Sequence, residues 1–316
     1  MKSFKVIVIG DVMLDRYIIG QHNRQSPEAD IPIIDVYNIQ DKLGGAGNVA
    51  NNLKALGSHP ILLSAVGEDL AGNKMVKLLE ESNIENYLTK DKYRCTTVKT
   101  RIVDSKFNQF LRYDEENIES ISNTVCSKLI QNLNQLIKEQ NIDAIIIQDY
   151  NKGLLSIDLI TYVQKKCLQS GIKLLVDPKI NNFKLLSICD VFKPNFNEIS
   201  TFLEQLNIEK TPESLIHHLK EKELDYKKLI LTLAESGVFY KDDNTSGIIK
   251  GKAIEKPDVS GAGDTVIAVL SILILLKFQI RRIAKIVNEC GALVCTKKGV
   301  STISMREFQE IINKIA

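Results

Sequence analysis

The chain alternates short apolar runs with longer amphipathic segments. The apolar runs are rich in Ile, Leu and Val and cover residues 4–10, 60–66, 143–149, 172–177 and 228–233. Continuous apolar strands of this kind are typical of a parallel sheet that is covered on both faces. Amphipathic segments that predict helices lie between them, near residues 46–57, 118–140, 155–170 and 211–223. The alternation predicts an α/β fold with a doubly wound, mostly parallel sheet and helices on both faces.

Two segments break this alternation. Residues 16–37 and 96–113 alternate apolar and polar positions and are rich in β-branched and aromatic residues. The pattern predicts antiparallel strands with one exposed face, which form a small sheet inserted into the parallel core. Such a sheet would serve either as a lid over a site or as a contact between subunits. We therefore expect a single domain over residues 1–316 with two lid insertions.

Charge and composition argue against several classes of partner. The chain has 41 basic and 39 acidic residues, and this net charge of +2 gives no reason to expect nucleic acid or an anionic membrane as a partner. The longest apolar run, residues 266–276, is too short to cross a bilayer and predicts a buried helix. Six cysteines without a CxxC pair and an N-terminus without signal-peptide features predict a cytoplasmic protein with reduced thiols and no zinc site.

Acidic residues stand where several predicted strands end. Asp11 and Asp15 follow the first strand, and Asp149 and Asp177 end two later ones. In open α/β sheets, ligands bind beyond the carboxyl ends of the strands. An ordinary solvated loop would explain any one of these acids, but their recurrence predicts a binding site at this edge.

Two glycine-rich segments do not match the common nucleotide-binding loops. "GEDLAGNK" (67–74) lacks the lysine and hydroxyl residue of a P-loop, and "GGAGNVANNLKALG" (44–57) lacks the third glycine of a dinucleotide fingerprint. A tight entry to a helix is one interpretation of the second segment. The other is that Gly44 and Gly45 let a ligand approach the backbone while the Asn48 amide binds hydroxyl groups.

A third glycine-rich segment, "SGAGD" (260–264), precedes the longest apolar run. Gly261, Ala262 and Gly263 leave backbone N–H groups uncovered at a helix start, which is a favourable site for an anion. Asp264 would then act as a general base that takes the proton from a hydroxyl attacking a phosphoryl group. Alternatively, Asp264 only stabilises the helix N-terminus, and the spacing alone does not decide between the two.

The segment "KPNFNEIS" (193–200) places Asn195 and Glu198 three residues apart at a predicted helix start. The pair can cap the helix reciprocally. It can also belong to a network of Mg²⁺, water and phosphate, because hydrated Mg²⁺ prefers few carboxylates and several waters.

Together these motifs resemble the ribokinase-like (PfkB) family of sugar kinases. "GGAGNVANNLKALG" is similar to the family's N-terminal signature, "DVSGAGDT" (258–265) to its C-terminal signature, and "NFNE" (195–198) to its magnesium motif. The resemblance covers nearly the whole chain and implies an ATP- and Mg²⁺-dependent kinase, with Asp264 as catalytic base beside an anion hole. The residues that it implies for the nucleotide and its metal are Asn195, Phe196, Asn197, Glu198, Thr232 and Gly237.

Three further expectations follow from the same resemblance. Residues 232–237, "TLAESG", lack the basic residue that many sugar kinases have there. Asp258 matches a position that holds a monovalent cation, such as K⁺, in some relatives. The residues that match or are expected to be sugar-hydroxyl binders are Asp11, Asp15, Gly44, Gly45, Asn48 and Asp149.

"SPEADIP" (26–32) and "DYNKGLL" (149–155) narrow the resemblance to the kinase domain of the bacterial D-glycero-β-D-manno-heptose 7-phosphate kinases. This implies phosphorylation of the C1 hydroxyl to the 1,7-bisphosphate, a step toward ADP-heptose and lipopolysaccharide core. Many relatives carry a fused adenylyltransferase domain, so we expect a stand-alone kinase or an isolated domain here. The substrate's own phosphate requires a cationic pocket, for which the candidates are Arg24, Lys99, Arg101, Arg112 and Lys152.

Other functions remain open at this point. Another kinase of the family would act on fructose phosphate, ribose or a nucleoside, and a catalytically silent member would only sense a sugar or nucleotide. A NAD-dependent dehydrogenase is disfavoured because the glycine fingerprint is broken. The predicted lid strands have edges and apolar faces that a second subunit would cover, so we expect a homodimer through the lid.

Overall fold

The computed structural model describes residues 3–205 and 224–315. Its strands are β1 Lys5–Gly10, β2 Val12–Gln25, β3 Pro32–Gly45, β4 His59–Gly67, β5 Glu85–Asp91, β6 Thr97–Val103, β7 Gln109–Glu115, β8 Ala144–Gln148, β9 Lys173–Asp177, β10 Cys189–Phe192, β11 Tyr226–Thr232, β12 Gly237–Lys241 and β13 Ser246–Lys250. Its α-helices are α1 Ala46–Ala55, α2 Leu70–Glu81, α3 Asn123–Glu139, α4 Ile157–Ser170, α5 Phe183–Leu186, α6 Phe196–Gln205, α7 Ala262–Leu275, α8 Ile280–Cys295 and α9 Met305–Lys314. Short 3-10 turns cover Ile180–Asn182 and Ala234–Ser236.

The central sheet contains nine strands in the order β13-β12-β11-β10-β9-β8-β1-β4-β5. Neighbouring strands are parallel from β11 to β5, and β12 and β13 are antiparallel. The prediction of a doubly wound, mostly parallel sheet is confirmed. The strand order reverses at β1, which lies between β4 and β8, and such a switch point is where open α/β sheets bind ligands.

Burial on both faces explains why the core strands are apolar throughout. In β1, Val6 and Val8 pack in one core cluster with α7 and α8, and Ile7 and Ile9 pack in the other with α3 and α4. All four side chains are fully buried. A strand that is covered on both faces has no side chains facing solvent. Its sequence is therefore a continuous apolar run instead of an alternation of apolar and polar residues.

Most of the predicted elements are present, with shifted ends. The predicted helix over 118–140 begins at Asn123, because the Ser122 side chain caps it by accepting a hydrogen bond from Val125 N. The predicted buried helix is α7, which begins earlier, at Ala262. The predicted helix over 211–223 lies outside the described residues. Within the two described ranges, no helix has the length and apolar character needed to cross a membrane.

A second sheet of four strands, β3-β2-β6-β7, rises from the carboxyl edge of the first, and we call it the lid sheet. The lid strands extend beyond the predicted segment, residues 16–37, toward the core. β2 already starts at Val12, and β3 continues to Gly45. β2 pairs antiparallel with β3, as expected, but parallel with β6, so the prediction of wholly antiparallel strands is wrong at that pairing. A parallel pairing between segments far apart in the chain depends on the fold of the core and has no local signal.

Candidate active site

The site lies at the switch point, where β1, β8, β9 and the first turn of α7 meet. Asp264 is buried in that turn. Its Oδ2 accepts a hydrogen bond from Asn48 Nδ2 (2.8 Å), and its Oδ1 accepts from the Tyr150 hydroxyl (2.8 Å) and Gln148 Nε2 (3.3 Å). Gly261 allows this arrangement, because its φ is 77° and a Cβ there would lie 2.6 Å from Asn48 Nδ2.

The pKa of Asp264 is raised to about 7, chiefly by burial. The hydrogen bonds from Asn48 and Tyr150 oppose this shift, and the negative charges of Asp177 and Asp15 add to it. A carboxylate with a pKa near neutrality can take up a proton during a reaction and release it afterwards, as a general base requires. Such a shift in a buried acid at a switch point also marks functional sites.

The glycine-rich start of α7 differs in one detail from the predicted anion hole. Ala262 N donates to the Val259 carbonyl (3.2 Å), so this N–H is already used. The structure gives the N-cap residue, Gly261, no capping side chain. A Cβ on Gly263 would lie 3.7 Å from both Lys193 Nζ and Asp177 Oδ2, so this glycine faces a charged cluster.

That cluster joins the ends of three strands. Lys193, directly after β10, is buried with its Nζ 2.9 Å from Asp177 Oδ2. Gln148 Nε2 donates to the same Asp177 oxygen (3.1 Å) and reaches Asp264. Lys193 therefore supplies a positive charge beside Gly263, in a protein whose 232–237 segment has none.

Sequence reasoning missed three residues of this site, Gln148, Tyr150 and Lys193. Each stands at or just beyond the carboxyl end of a core strand, the same signal that singled out the acids. Asp177, Gln148 and Lys193 are almost fully buried, which no local pattern reveals.

Asn195 and Glu198 cap α6 reciprocally. Glu198 N donates to Asn195 Oδ1 (3.0 Å), and Asn195 N donates to Glu198 Oε2 (2.8 Å). The other oxygen of Glu198 pairs with Lys179. The capping interpretation is thus present in the structure, and the described residues contain no group of three or more acidic, His or Cys side chains suited to a metal. A single carboxylate is still a donor set that suits hydrated Mg²⁺, which takes most of its oxygens from water and phosphate.

The predicted nucleotide residues lie along one edge. Thr232 is bridged to Asn195, and Thr232 N donates to the Pro194 carbonyl (3.2 Å). Asn197 is exposed, whereas Phe196 is partly buried and packs against the apolar cluster under α6. Gly237 starts β12 with a φ of 107°, and a Cβ there would lie 2.0 Å from the Ile249 carbonyl oxygen.

Two of the predicted sugar binders, Asp11 and Asp149, are hydrogen-bonded to backbone N–H groups of neighbouring loops. Asp11 accepts hydrogen bonds from three N–H groups of the loop after β8, those of Tyr150 (2.9 Å), Lys152 (3.2 Å) and Leu154 (3.2 Å). Asp149 accepts from the N–H groups of residues 151 and 179, and burial raises its pKa to about 6. Both acids therefore support these loops, and their contact with a sugar stays a prediction.

Asp15 is placed toward the site on β2. It is buried and ion-paired with Arg101. Gly44 lies diagonally across on β3, and a Cβ there would come 2.2 Å from Asp15 Oδ2, so only glycine leaves room for this carboxylate. Gly45 has a φ of 57°, with a Cβ position 2.4 Å from the Asp11 carbonyl oxygen.

The face of the lid sheet that carries Asp15 is charged. Its residues pair across the four strands in two rows, Lys42–Asp15–Lys99–Asp114 and Gln40–Tyr17–Arg101–Arg112. Arg112 pairs with Asp114 (2.6 Å) and, beside the sheet, Lys152 pairs with Glu116 (2.6 Å). Lys99 makes no ion pair among the described residues, and burial together with Arg112 lowers its pKa.

Two predicted residues lie elsewhere. Arg24 is on β2 but nine positions beyond Asp15, roughly 30 Å along an extended strand, and it is exposed beside Asp35. The structure therefore does not bring Arg24 to this site. Asp258 accepts hydrogen bonds from Ser260 N (3.1 Å) and Gly299 N (2.8 Å), which lower its pKa although burial opposes them. A monovalent cation at Asp258 stays a prediction.

Fold and site together define a sugar kinase of the ribokinase-like class. The family model described as pfkB family carbohydrate kinase matches residues 3–307, and the chain belongs to this family. The family resemblance inferred from the motifs is confirmed, and so is the assignment to the phosphotransferases.

Curated relatives of the chain carry the name bifunctional protein HldE. The protein of Sulfurimonas denitrificans is 36% identical over 317 residues, which cover 98% of this chain and 65% of the relative. That of Helicobacter pylori strain G27 is 34% identical over 314 residues, covering 98% of this chain and 66% of the relative. The chain therefore spans just under two thirds of the length of these relatives.

Solved structures show the same fold at low identity. Phosphofructokinase-2 from Escherichia coli in complex with potassium has a TM-score of 0.81 and 17% identity, covering 100% of this chain and 99% of that one. A carbohydrate kinase from Agrobacterium tumefaciens has a TM-score of 0.72 and 17% identity, covering 98% and 97%.

Proposed function

We propose that the protein is a cytoplasmic kinase that transfers the γ-phosphoryl group of ATP to the C1 hydroxyl of D-glycero-β-D-manno-heptose 7-phosphate, in ADP-heptose formation. The observation that carries the chemistry is the buried Asp264 carboxylate in the first turn of α7, hydrogen-bonded and with a pKa near 7. The observation that favours a phosphorylated sugar is the charged face of the lid sheet. The similarity of "SPEADIP" (26–32) to heptose 7-phosphate kinases supports the particular sugar.

The transfer needs one base and a stabilised phosphoryl group. The sugar oxygen attacks the γ-phosphorus, the bond from that phosphorus to the β,γ-bridging oxygen breaks, and ADP leaves with that oxygen. The hydroxyl proton passes to Asp264. Charge on the transferring group is stabilised by the N-terminus of α7 near Gly263 and by Lys193, whose Nζ lies beside that glycine.

ATP would lie along the edge formed by Asn195, Thr232 and Gly237. Glu198, with Asn195, would hold Mg²⁺ through water, and the ion would neutralise the phosphate oxygens when bound. Lys179, which pairs with Glu198, would contact the phosphates.

The sugar would lie between Asn48, Asp15 and the lid sheet, with its own phosphate toward Lys99 and Arg101. Lys99 is the residue best suited to this role, because it is partly buried without an ion-pair partner among the described residues. A partly buried cation without an ion pair favours an anionic ligand that would pair with it.

An ADP-release assay across heptose 7-phosphate, fructose 6-phosphate, fructose 1-phosphate, ribose and adenosine tests the proposal, and phosphorus NMR locates the new phosphate. We expect heptose 7-phosphate to be the preferred substrate. Lys99→Met should raise its KM about tenfold or more, because a charged hydrogen bond to the phosphate is lost. Lys92→Met removes a lysine that also lies over a tyrosine ring (4.8 Å) but is exposed, and it should leave KM unchanged.

If another sugar were the preferred substrate, the heptose assignment would be wrong, but the assignment as a sugar kinase would stand. No ADP release with any sugar, despite thermal stabilisation by one of them, would favour the sensor function. An equal effect of Lys99→Met on ribose and on heptose 7-phosphate would contradict the placement of the phosphate.

The outer face of the lid sheet supports the proposal of a homodimer. Ile39, Ile18, Ile102 and Leu111 pair directly across all four strands and form one apolar row. Ile39 and Leu111 are 59% and 55% exposed. Such a contiguous apolar face is typical of a contact surface, and a second copy of the sheet would cover it.

Light scattering at micromolar concentration should therefore give the mass of a dimer. Ile39→Glu and Leu111→Glu each place a charge in the apolar row and should yield monomers. Leu168→Glu, at a leucine on α4 that is still more exposed (84%), should stay dimeric. A monomeric wild-type chain, or a dimer that survives both lid substitutions, would contradict this interface.

A further inference from the structure

The two oxygens of the Asp264 carboxylate have unequal surroundings. Oδ1 accepts hydrogen bonds from the Tyr150 hydroxyl and from Gln148 Nε2, which fill its two lone pairs. Oδ2 accepts from Asn48 Nδ2, its single donor among the described residues. The remaining lone pair of Oδ2 is therefore the acceptor left for an incoming hydroxyl.

Tyr150 is held in place by its own loop. Its N–H donates to Asp11 Oδ2 (2.9 Å), and the N–H of Lys152 donates to the same oxygen (3.2 Å). Gly153 has a φ of 84°, and a Cβ there would lie 1.9 Å from the Glu119 carbonyl oxygen. The backbone therefore fixes the position from which the Tyr150 side chain reaches Asp264.

The Tyr150 ring is contacted from two other parts of the site. Lys99 Nζ, from the lid sheet, and Lys179 Nζ, which pairs with Glu198, each lie 5.6 Å from the ring centroid. Cations at this distance are attracted to an aromatic ring. Tyr150 therefore hydrogen-bonds the proposed base, and its ring lies beside one lysine of the proposed sugar-phosphate site and one of the proposed nucleotide site.

We propose that Tyr150 is a positioning residue whose hydroxyl occupies Asp264 Oδ1 and so leaves Oδ2 as the atom that takes the substrate proton. This rests on the proposed function of Asp264 as the base. The phenol remains a donor at all working pH values, because burial and the charges of Asp264 and Asp177 raise the pKa of Tyr150 well above its ordinary value.

Other charges also act on Asp264, and the effect of Tyr150 must be separated from theirs. Asp177 and Asp15 favour its protonated form, while Asn48 and Tyr150 stabilise its charged form by hydrogen bonds. The cations around this cluster are Lys193, paired with Asp177, Arg101, paired with Asp15, and Lys99 and Lys179 beside the Tyr150 ring. Removing only the Tyr150 hydroxyl leaves all the other groups in place.

Tyr150→Phe should therefore move the acidic limb of the kcat/KM profile upward by about one pH unit. At pH values on the acidic side of this limb, turnover of the variant should fall about tenfold relative to wild type, and most of it should return at high pH. Tyr162→Phe is the matched control, since Tyr162 also has a lysine over its ring (5.6 Å) but lies on α4, away from Asp264. A purely structural role would lower turnover equally at every pH.

Carbon-13 NMR of carboxyl-labelled aspartates gives the pKa of Asp264 directly, with Asp264→Asn identifying its signal. The Tyr150→Phe shift should appear there without any substrate. If no sugar in the panel is phosphorylated yet the shift appears, the kinase proposal fails while the hydrogen-bond assignment stands. An unchanged Asp264 titration overturns the inference.

A second variant covers the outcome in which Tyr150→Phe does not fold. 3-Fluorotyrosine at position 150 keeps the shape of the ring and makes the phenol a stronger donor. The Asp264 titration should then move downward, and the activity limb should move with it. A shift in the titration with no movement of the activity limb would also overturn the positioning role.

Discussion

Replacing Asp264 by asparagine should lower kcat by about 10³-fold, because the variant cannot take the hydroxyl proton. Binding of ATP should be retained, since Asp264 contacts Asn48, Gln148 and Tyr150 rather than the nucleotide edge. A coupled assay for ADP measures the first effect, and calorimetric titration with a nonhydrolysable ATP analogue measures the second.

The same substitution should stabilise the fold at high pH. The pKa of Asp264 is about 7 in the folded protein and 3.8 in its ordinary state, so the folded form holds a proton that the unfolded form has lost. The contribution of this group to stability is complete below pH 4 and is lost as the pH rises through 7. The Tm of Asp264→Asn relative to wild type should therefore increase between pH 5 and pH 8.

Asp158→Asn is the matched control. Asp158 also lies in the first turn of a helix, α4, but it is exposed. Its replacement should leave turnover unchanged and cost roughly 0.3–1 kcal/mol through the helix dipole. If Asp264→Asn behaved in the same way, with near wild-type turnover, Asp264 would be only a helix-terminus residue.

Lys193→Met should produce the second large effect, a loss of about 3–5 kcal/mol in the free energy of unfolding. The substitution leaves the Asp177 carboxylate buried without its cation, since both side chains are less than a tenth exposed. It also removes the positive charge beside Gly263, so turnover should fall as well. Urea unfolding gives the stability, and the ADP assay gives the turnover.

The double variant Lys193→Met with Asp177→Asn separates the two effects. Stability should largely return, because no buried charge is left unpaired, but turnover should not. Lys227→Met breaks an exposed ion pair with Asp190 (2.9 Å) and should cost at most about 1 kcal/mol. If Lys193→Met and Lys227→Met lowered the free energy of unfolding equally, the buried ion pair would contribute no more to stability than the exposed one.

Much of the core could be predicted because burial on two sides leaves a local pattern. β1, β4, β8, β9 and β11 are all found where apolar runs predict them. The pairing of β2 with β6 could not be predicted, since it joins distant segments in parallel. Arg24 is a related case. Its position in a lid segment could be predicted from the sequence, but its distance from Asp15 could not, because it depends on the 14-residue length of β2.

Those candidate site residues that belong to a local sequence motif could be predicted from the sequence. The start of α7 singles out Asp264 as a candidate base, and the family resemblance favours that role over stabilisation of the helix N-terminus. The contacts of Gln148 and Tyr150 with that carboxylate depend on how β8 lies beside β1 and α7, so they become visible only in three dimensions. Asp11 illustrates the opposite case, a correctly noticed acid that holds the backbone of a neighbouring loop.

The strands of the lid sheet run without interruption into the site. β2 begins at Val12 and carries Asp15, and β3 ends at Gly44 and Gly45, so no separate linker joins the lid sheet to the proposed sugar site. Any rotation of the lid sheet about its base therefore also moves Asp15 and Gly44. At the proposed sugar site, affinity for the sugar therefore depends on the angle of the lid sheet, and a partner bound to the outer face of that sheet would change both.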